Sequence, residues 1–269
     1  MDLSLSLILE LSALGIGAGF LAGLLGIGGG MVMVPFLTFM LDLRGIDPSL
    51  TIKMAIATSM TTIIFTSASS VRAHHRKGAV LWTVVKTFAP GLVLGSLLAS
   101  LGVFSLVKGK YLSIVFALFV GYAATNMFFS KKAAGEKPMP GVAGQMAMGT
   151  VIGFFSGLVG AGGAFLSVPF LSKRVPIHSA VATSAAIGFP IALTNGVGYV
   201  ISGWGHSVVP GALGFVWLPA VAIICAFSIF MAPRGAAMAH RWPVQKLKRA
   251  FAILLYFVAI SMLVKGITA

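Results

Sequence analysis

The chain has 269 residues, of which 58% are hydrophobic and only 9% charged, and it carries a formal net charge of +14. Soluble domains have about 25% charged residues, so this balance, with a mean hydropathy of +1.02, excludes an ordinary water-soluble domain and indicates an integral membrane protein. The positive excess does not form a nucleic-acid surface: the basic residues sit in short loops between apolar runs, where charge sets membrane orientation.

The N-terminal sequence MDLSLSLILELSALG has no basic leader and is expected to be retained rather than cleaved. Five apolar segments follow in order, at 3–25, 31–43, 52–71, 79–107 and 111–129, and five more at 142–159, 165–171, 179–202, 208–232 and 247–267. A bilayer crossing takes about 20 apolar residues. Segments 31–43 and 165–171 are shorter than that, so each is expected to return with its predecessor as a re-entrant hairpin.

The first hairpin stretch, residues 19–37, reads GFLAGLLGIGGGMVMVPFL and returns at 153–171 as GFFSGLVGAGGAFLSVPFL, with 11 of 19 positions identical. In each copy an apolar run meets a Gly-x-Gly-Gly cluster, restarts, and has a proline six residues after the last shared glycine. Glycine frees the backbone from helical dihedrals, and proline suits the first turn of a helix, so each copy reads as helix, break, new helix. Later blocks match too: Lys53 to Ser59 (KMAIATS) with His178 to Ser184 (HSAVATS), and the LSIVFA that begins at Leu112 with the LKRAFA that begins at Leu247. The chain therefore reads as a duplication, with repeat one at 1–130, a cytoplasmic linker at 131–141 and repeat two at 142–269.

Charge decides how the copies are oriented. If each copy has three spans plus a hairpin that re-emerges where it entered, the copies are inverted. One face then collects Arg72, Arg76, Lys77, Lys131, Lys132, Lys137, Lys173, Arg174, Arg234, Arg241, Lys246, Lys248 and Arg249. The other collects only Arg44, Lys53, Lys108, Lys110 and Lys265, with Lys86 inside a span. The richer face is expected to be cytoplasmic. The fold class is thus all-α: a polytopic membrane protein of two inverted repeats, each a glycine-broken hairpin plus three transmembrane helices.

Broken helices inside a membrane are tolerated where they pack in protein or line a cavity. The break leaves N–H donors and a positive dipole end at the start of the second half-helix, which suits an anion. The expected substrate contacts are therefore Gly28, Gly29, Gly30, Gly162, Gly163 and Ala164. Gly15, in the unbroken part of the first segment, is expected to tolerate valine far better than Gly29 or Gly163. The recurring hydroxyl pairs Thr58-Ser59 and Thr183-Ser184 are expected to line the site, although such hydroxyls also bond back to their own helix. Asn195 is a further donor candidate. Lys53 and His178, at matched positions near the mouths of the Thr-Ser helices, are possible charge-attracting residues.

Of the acids Asp2, Glu10, Asp42, Asp47 and Glu136, only Glu10 falls within an apolar run, so a cation or metal substrate is disfavoured. Five scattered histidines and the single Cys225 make no metal set, and no cofactor is expected. His74-His75 reads as part of a basic loop. No nucleophile–base pattern or phosphate-binding loop appears, so the chain is not expected to be an enzyme.

The sequence resembles the TauE/SafE, or sulfite exporter, family of membrane transporters. The resemblance rests on GLLGIGGGMVMVP with GLVGAGGAFLSVP, the two AxATS blocks, SSVRAHHRKGAV at 69–80, GFPIALTNGVGYVISGW at 188–204 and the C-terminal AHRWPVQKLKRAFA. It implies movement of sulfite, sulfoacetate or another sulfonate across a bacterial inner membrane. The family commonly has Gly-x-Val-Asp-Trp where this chain has Gly78-Ala-Val80-Leu81-Trp82. The expected function is transport of a small sulfur-containing anion by alternating access around the hairpins. A small-anion channel and a structural or assembly membrane protein are the alternatives.

Overall fold

The computed structural model describes residues 4–25, 29–129, 137–205, 209–239 and 244–268. The first half contains α1 (Leu5–Leu25), α2 (Gly30–Leu43), α3 (Pro48–His75), α4 (Trp82–Leu97), extended by a π-helical turn over Leu98–Val103, and α5 (Gly109–Phe129). The second contains α6 (Val142–Val159), α7 (Ala164–Ser172), α8 (Ile177–Ser202), α9 (Leu218–Ala239) and α10 (Val244–Thr268). Eight of these are long and apolar enough to cross a membrane; α2, with 14 residues, and α7, with 9, are not.

The short helices return. Arg44 Nη2 pairs with Glu10 Oε2 at 3.1 Å, which brings the end of α2 beside the start of α1. In the second half the Lys137 N–H donates to the Lys173 carbonyl at 3.0 Å, joining the approach to α6 with the end of α7. In each half, the end of the short helix thus lies beside the start of the helix before it or the approach to that helix.

The halves interlock. α1 packs along α9 and α6 along α4, while α5 meets α10 and α3 meets α8. Lipid tails provide no hydrophobic drive between helices, so these pairs depend on small residues that let backbones approach. A Cβ built on Gly15 would lie 2.7 Å from the Ile224 carbonyl, and one on Gly19 would lie 2.5 Å from Ser228 Cα. On α6, a Cβ at Gly149 would lie 2.7 Å from the Phe88 carbonyl. Gly15 and Gly149 occupy the same position of the repeat, so the expectation that Gly15 tolerates valine is corrected: it is a helix-contact glycine. α3 and α8 are the most enclosed long helices, with 67% and 61% of their apolar stretches buried.

Helix ends follow local chemistry. Asp47 caps α3 by accepting from the Ser49 N–H at 2.8 Å, and Pro48 takes the first helical position. That backbone donor holds the Asp47 carboxyl below its ordinary range. Lys265, in the last turn of α10, pairs with Asp42 and donates to Thr51 Oγ1 at 3.1 Å, tying α10 to α2 and α3.

Two sequence expectations shift. Pro35 and Pro169 lie inside α2 and α7, beyond the first turn, where each removes a bond that the carbonyl four residues earlier would accept. The run 208–232 is not one helix either. Ala212–Leu213 (β1) pairs antiparallel with Val216–Trp217 (β2) before α9 begins, and α9 continues to Ala239.

Candidate functional site

Both hairpins restart from a left-handed glycine. Gly29 has φ 77° and ψ −11°, and Gly163 has φ 77° and ψ −9°. The helical ladders open when Val32 and Met33 donate to the Gly29 carbonyl, both at 3.1 Å, and when Leu166 and Ser167 donate to the Gly163 carbonyl at 3.1 and 2.9 Å. The N–H groups of Gly30 and Met31, and of Ala164 and Phe165, precede those bonds, at the positions where a helix start leaves its donors without intrahelical partners. Gly28 lies outside the described residues. The Gly162 carbonyl faces α8, 3.2 Å from a Cβ built on Gly188.

The two breaks touch. A Cβ on Gly30 would collide with the Gly160 carbonyl and lie 3.0 Å from Ala161 Cα. Gly160, itself left-handed at φ 72°, ends α6. Ser59 Oγ donates to that same Gly160 carbonyl at 3.2 Å, so α3 holds the tip of the second hairpin.

The matched threonines have matched partners. Thr58 Oγ1 accepts from the Trp217 N–H at 3.0 Å, and Thr183 Oγ1 accepts from the Leu81 N–H at 3.1 Å. Trp217 and Leu81 each stand immediately before the fourth helix of their half, so each threonine ties down the start of a helix in the opposite half. Ser184 Oγ is fully buried without a hydrogen-bond partner. Asn195 gives one amide hydrogen to the Ile191 carbonyl at 2.9 Å, while its buried Oδ1 has no partner and lies 2.5 Å from a Cβ built on Gly157.

Several polar groups escaped the sequence reading. Ser156 and Ser167 are fully buried with unpartnered hydroxyls, and Ser156 Oγ lies 3.1 Å from a Cβ built on Gly163, beside the start of α7. Their counterparts in the first hairpin are Ala22 and Met33, so the missed signal was a polar excess in one copy. Tyr199 donates to the Gly157 carbonyl, and His74 Nε2 lies 3.3 Å from the Gly23 carbonyl. Tyr199 and His74 each stand 16 residues beyond the matched threonine, and Gly157 matches Gly23. His74 is thus buried at the end of α3, not in the loop; His75 is exposed and accepts from Trp82 Nε1 at 3.1 Å.

The matched Lys53 and His178 diverge. Lys53 is 8% exposed, with Nζ donating to the Ser105 carbonyl at 2.9 Å and lying 5.6 Å from the centre of the Phe215 ring. His178 and Lys86 are exposed. Among the described residues no group of three or more His, Cys, Asp or Glu gathers to hold a metal ion.

Six membrane-length helices around two broken hairpins that meet in the interior, each hairpin with one membrane-length arm, define a multi-pass membrane protein built as a transporter is. The chain belongs to the sulfite exporter TauE/SafE family, whose sequence profile matches residues 11–262. It is 37% identical to a probable membrane transporter protein of Haemophilus influenzae over 92% of this chain and 95% of that one. It is also 29% identical to the probable membrane transporter protein YunE of Bacillus subtilis, over 96% of this chain and 97% of that one. No solved structure matches the chain. The protein is a membrane transporter of the cell membrane, and its substrate is a small molecule.

Proposed function

We propose that this transporter moves a small sulfur-containing anion, sulfite or an organosulfonate such as sulfoacetate, by alternating access around the paired hairpins. The observation that carries the anion reading is the matched pair of helix starts at Gly29 and Gly163, set in a neutral polar interior. Backbone donors at Gly30, Met31, Ala164 and Phe165 supply partial positive charge, and the buried hydroxyls of Ser156 and Ser184 supply further donors. The described carboxylates are engaged elsewhere: Glu10 with Arg44, Asp42 with Lys265, and Asp47 at the cap of α3. Among the described residues, a cation would find no counter-charge in this interior. The sulfur class comes from the family's description.

We further infer inverted repeats at 1–130 and 142–269, joined by a cytoplasmic linker at 131–141. Support comes from the two closed hairpins and from the exchange in which α1 packs on α9 and α6 on α4.

The test is a thermal-shift series on purified protein with sulfite, sulfate, thiosulfate, taurine, sulfoacetate and inorganic cations, followed by counterflow in proteoliposomes. Saturable stabilisation by a sulfur anion, with counterflow of the labelled compound, is the expected result. Flux without counterflow identifies a channel, and stabilisation by a metal ion alone overturns the anion reading.

A further inference from the structure

The β1–β2 hairpin reverses through Gly214 and Phe215, with Gly214 at φ 59° and no positive φ at Phe215, the pattern of a type II′ turn. Phe215 is inserted, not displayed: its ring lies 5.8 Å from that of Phe104, which in turn lies 4.4 Å from that of Tyr199. Beneath the turn is Lys53, more than nine-tenths buried. An ammonium has three hydrogens to donate. Here it has one carbonyl, that of Ser105, and the face of the Phe215 ring, and no described carboxylate pairs with it. Taking a cation out of water costs several kcal/mol unless a counter-charge offsets it, and one carbonyl plus an aromatic face offsets only part.

We propose that Lys53 is a second contact for the transported anion and that the Gly214–Phe215 turn is the gate above it. This rests on the anion reading and adds to it a charged waiting position and a moving part. An oxyanion of the sulfite or sulfonate class supplies the counter-charge that Lys53 lacks. Thr58 and Ser59 follow on the same helix about 7.5–9 Å further along its axis. Lys53 therefore lies between one and two turns before the Ser59 hydroxyl that holds the Gly160 tip.

The gate is a short hairpin whose strands contribute two residues each, and its contacts include the Phe215 N–H to the Tyr199 carbonyl at 3.4 Å and the Trp217 N–H to Thr58 Oγ1 at 3.0 Å. Lifting the hairpin removes the ring from Lys53 and releases the Thr58 hydroxyl in one movement. His178, in the matching position of the other half, is exposed, whereas Lys53 is buried.

The experiment uses full-length protein in a Cys225→Ser background. Lys53→Met keeps the packed stem and removes the charge. It is expected to melt no lower than its parent without anion, while the sulfite and sulfoacetate concentrations for half-maximal stabilisation rise about tenfold or more. Lys53→Cys is expected to react slowly with an impermeant methanethiosulfonate reagent, and about tenfold faster when Phe215→Ala is added. An unchanged anion response in Lys53→Met, with or without a lower melting temperature, makes the lysine a packing element and overturns the contact. Equal labelling with and without Phe215 overturns the gate. If the parent responds to no anion, the anion reading itself falls; if the parent responds and Lys53→Met responds equally, only this site falls.

Discussion

The hydroxyl of Tyr199 donates to the carbonyl oxygen of Gly157, fastening α8 to the first arm of the second hairpin. His74 stands in the same relation to Gly23 in the other half. Tyr199→Phe leaves the aromatic contact with Phe104 and orphans a buried carbonyl, so a loss of about 0.5–1.5 kcal/mol is expected. Thermal unfolding of the purified variant measures it; an unchanged melting temperature removes the bond from the stability of the hairpin.

Valine at Gly29 or Gly163 must adopt φ near +77°, which a β-branched residue resists. It also fills space beside Ala18 in one case and beside Ser156 and Ile191 in the other. Anion affinity is expected to fall about ten- to a hundredfold in each, the value of one charge-assisted hydrogen bond. Gly17→Val is the control, because a Cβ there meets nothing within 4 Å. Wild-type flux in both hairpin variants, prepared monodisperse, would make the breaks scaffold only.

Orientation is checked with single cysteines in a Cys225→Ser background. Lys77 follows α3 and Trp204 follows α8, and both are exposed. Inverted repeats place Lys77→Cys and Trp204→Cys on opposite faces of intact cells. Labelling from the same side rules out inversion.

Leu81 precedes α4 with no side-chain cap. Leu81→Asp supplies an acceptor for the first N–H groups of α4 and is expected to add about 1 kcal/mol of stability. The folded-state carboxyl should titrate below its unfolded value, as that of Asp47 does at the start of α3. The gain is therefore present above the unfolded carboxylate pKa and lost as pH falls through the lowered folded value. A melting series from neutral to acid pH reads both, and a gain that persists at low pH rules out capping as its source.

The hairpins were legible because two signals coincided: a glycine cluster fixes where a helix must break, and 13 or 7 apolar residues cannot cross a bilayer. The duplication then located Thr58 and Thr183, although not their partners, since Trp217 and Leu81 come from the opposite half. The β1–β2 turn was hidden within the run 208–232, where hydropathy is continuous and Pro210-Gly211, Gly214 and Pro219 are the punctuation. Gly15 was misjudged through a missed alignment with Gly149. Burial of His74 depends on how α3 meets α1, which a run of basic neighbours disguises as loop.

The contact between Gly30 and Gly160 has a mechanical consequence. Each hairpin is pinned at its base, by Glu10 to Arg44 in one and Lys137 to Lys173 in the other, and bears on its twin at the tip. Two cantilevers that share a bearing surface too tight to admit one added methyl have little room to swing separately. A tilt of either tip must be taken up by the backbone of the other, so the halves work as meshed gears and slack cut into one is felt as backlash in both.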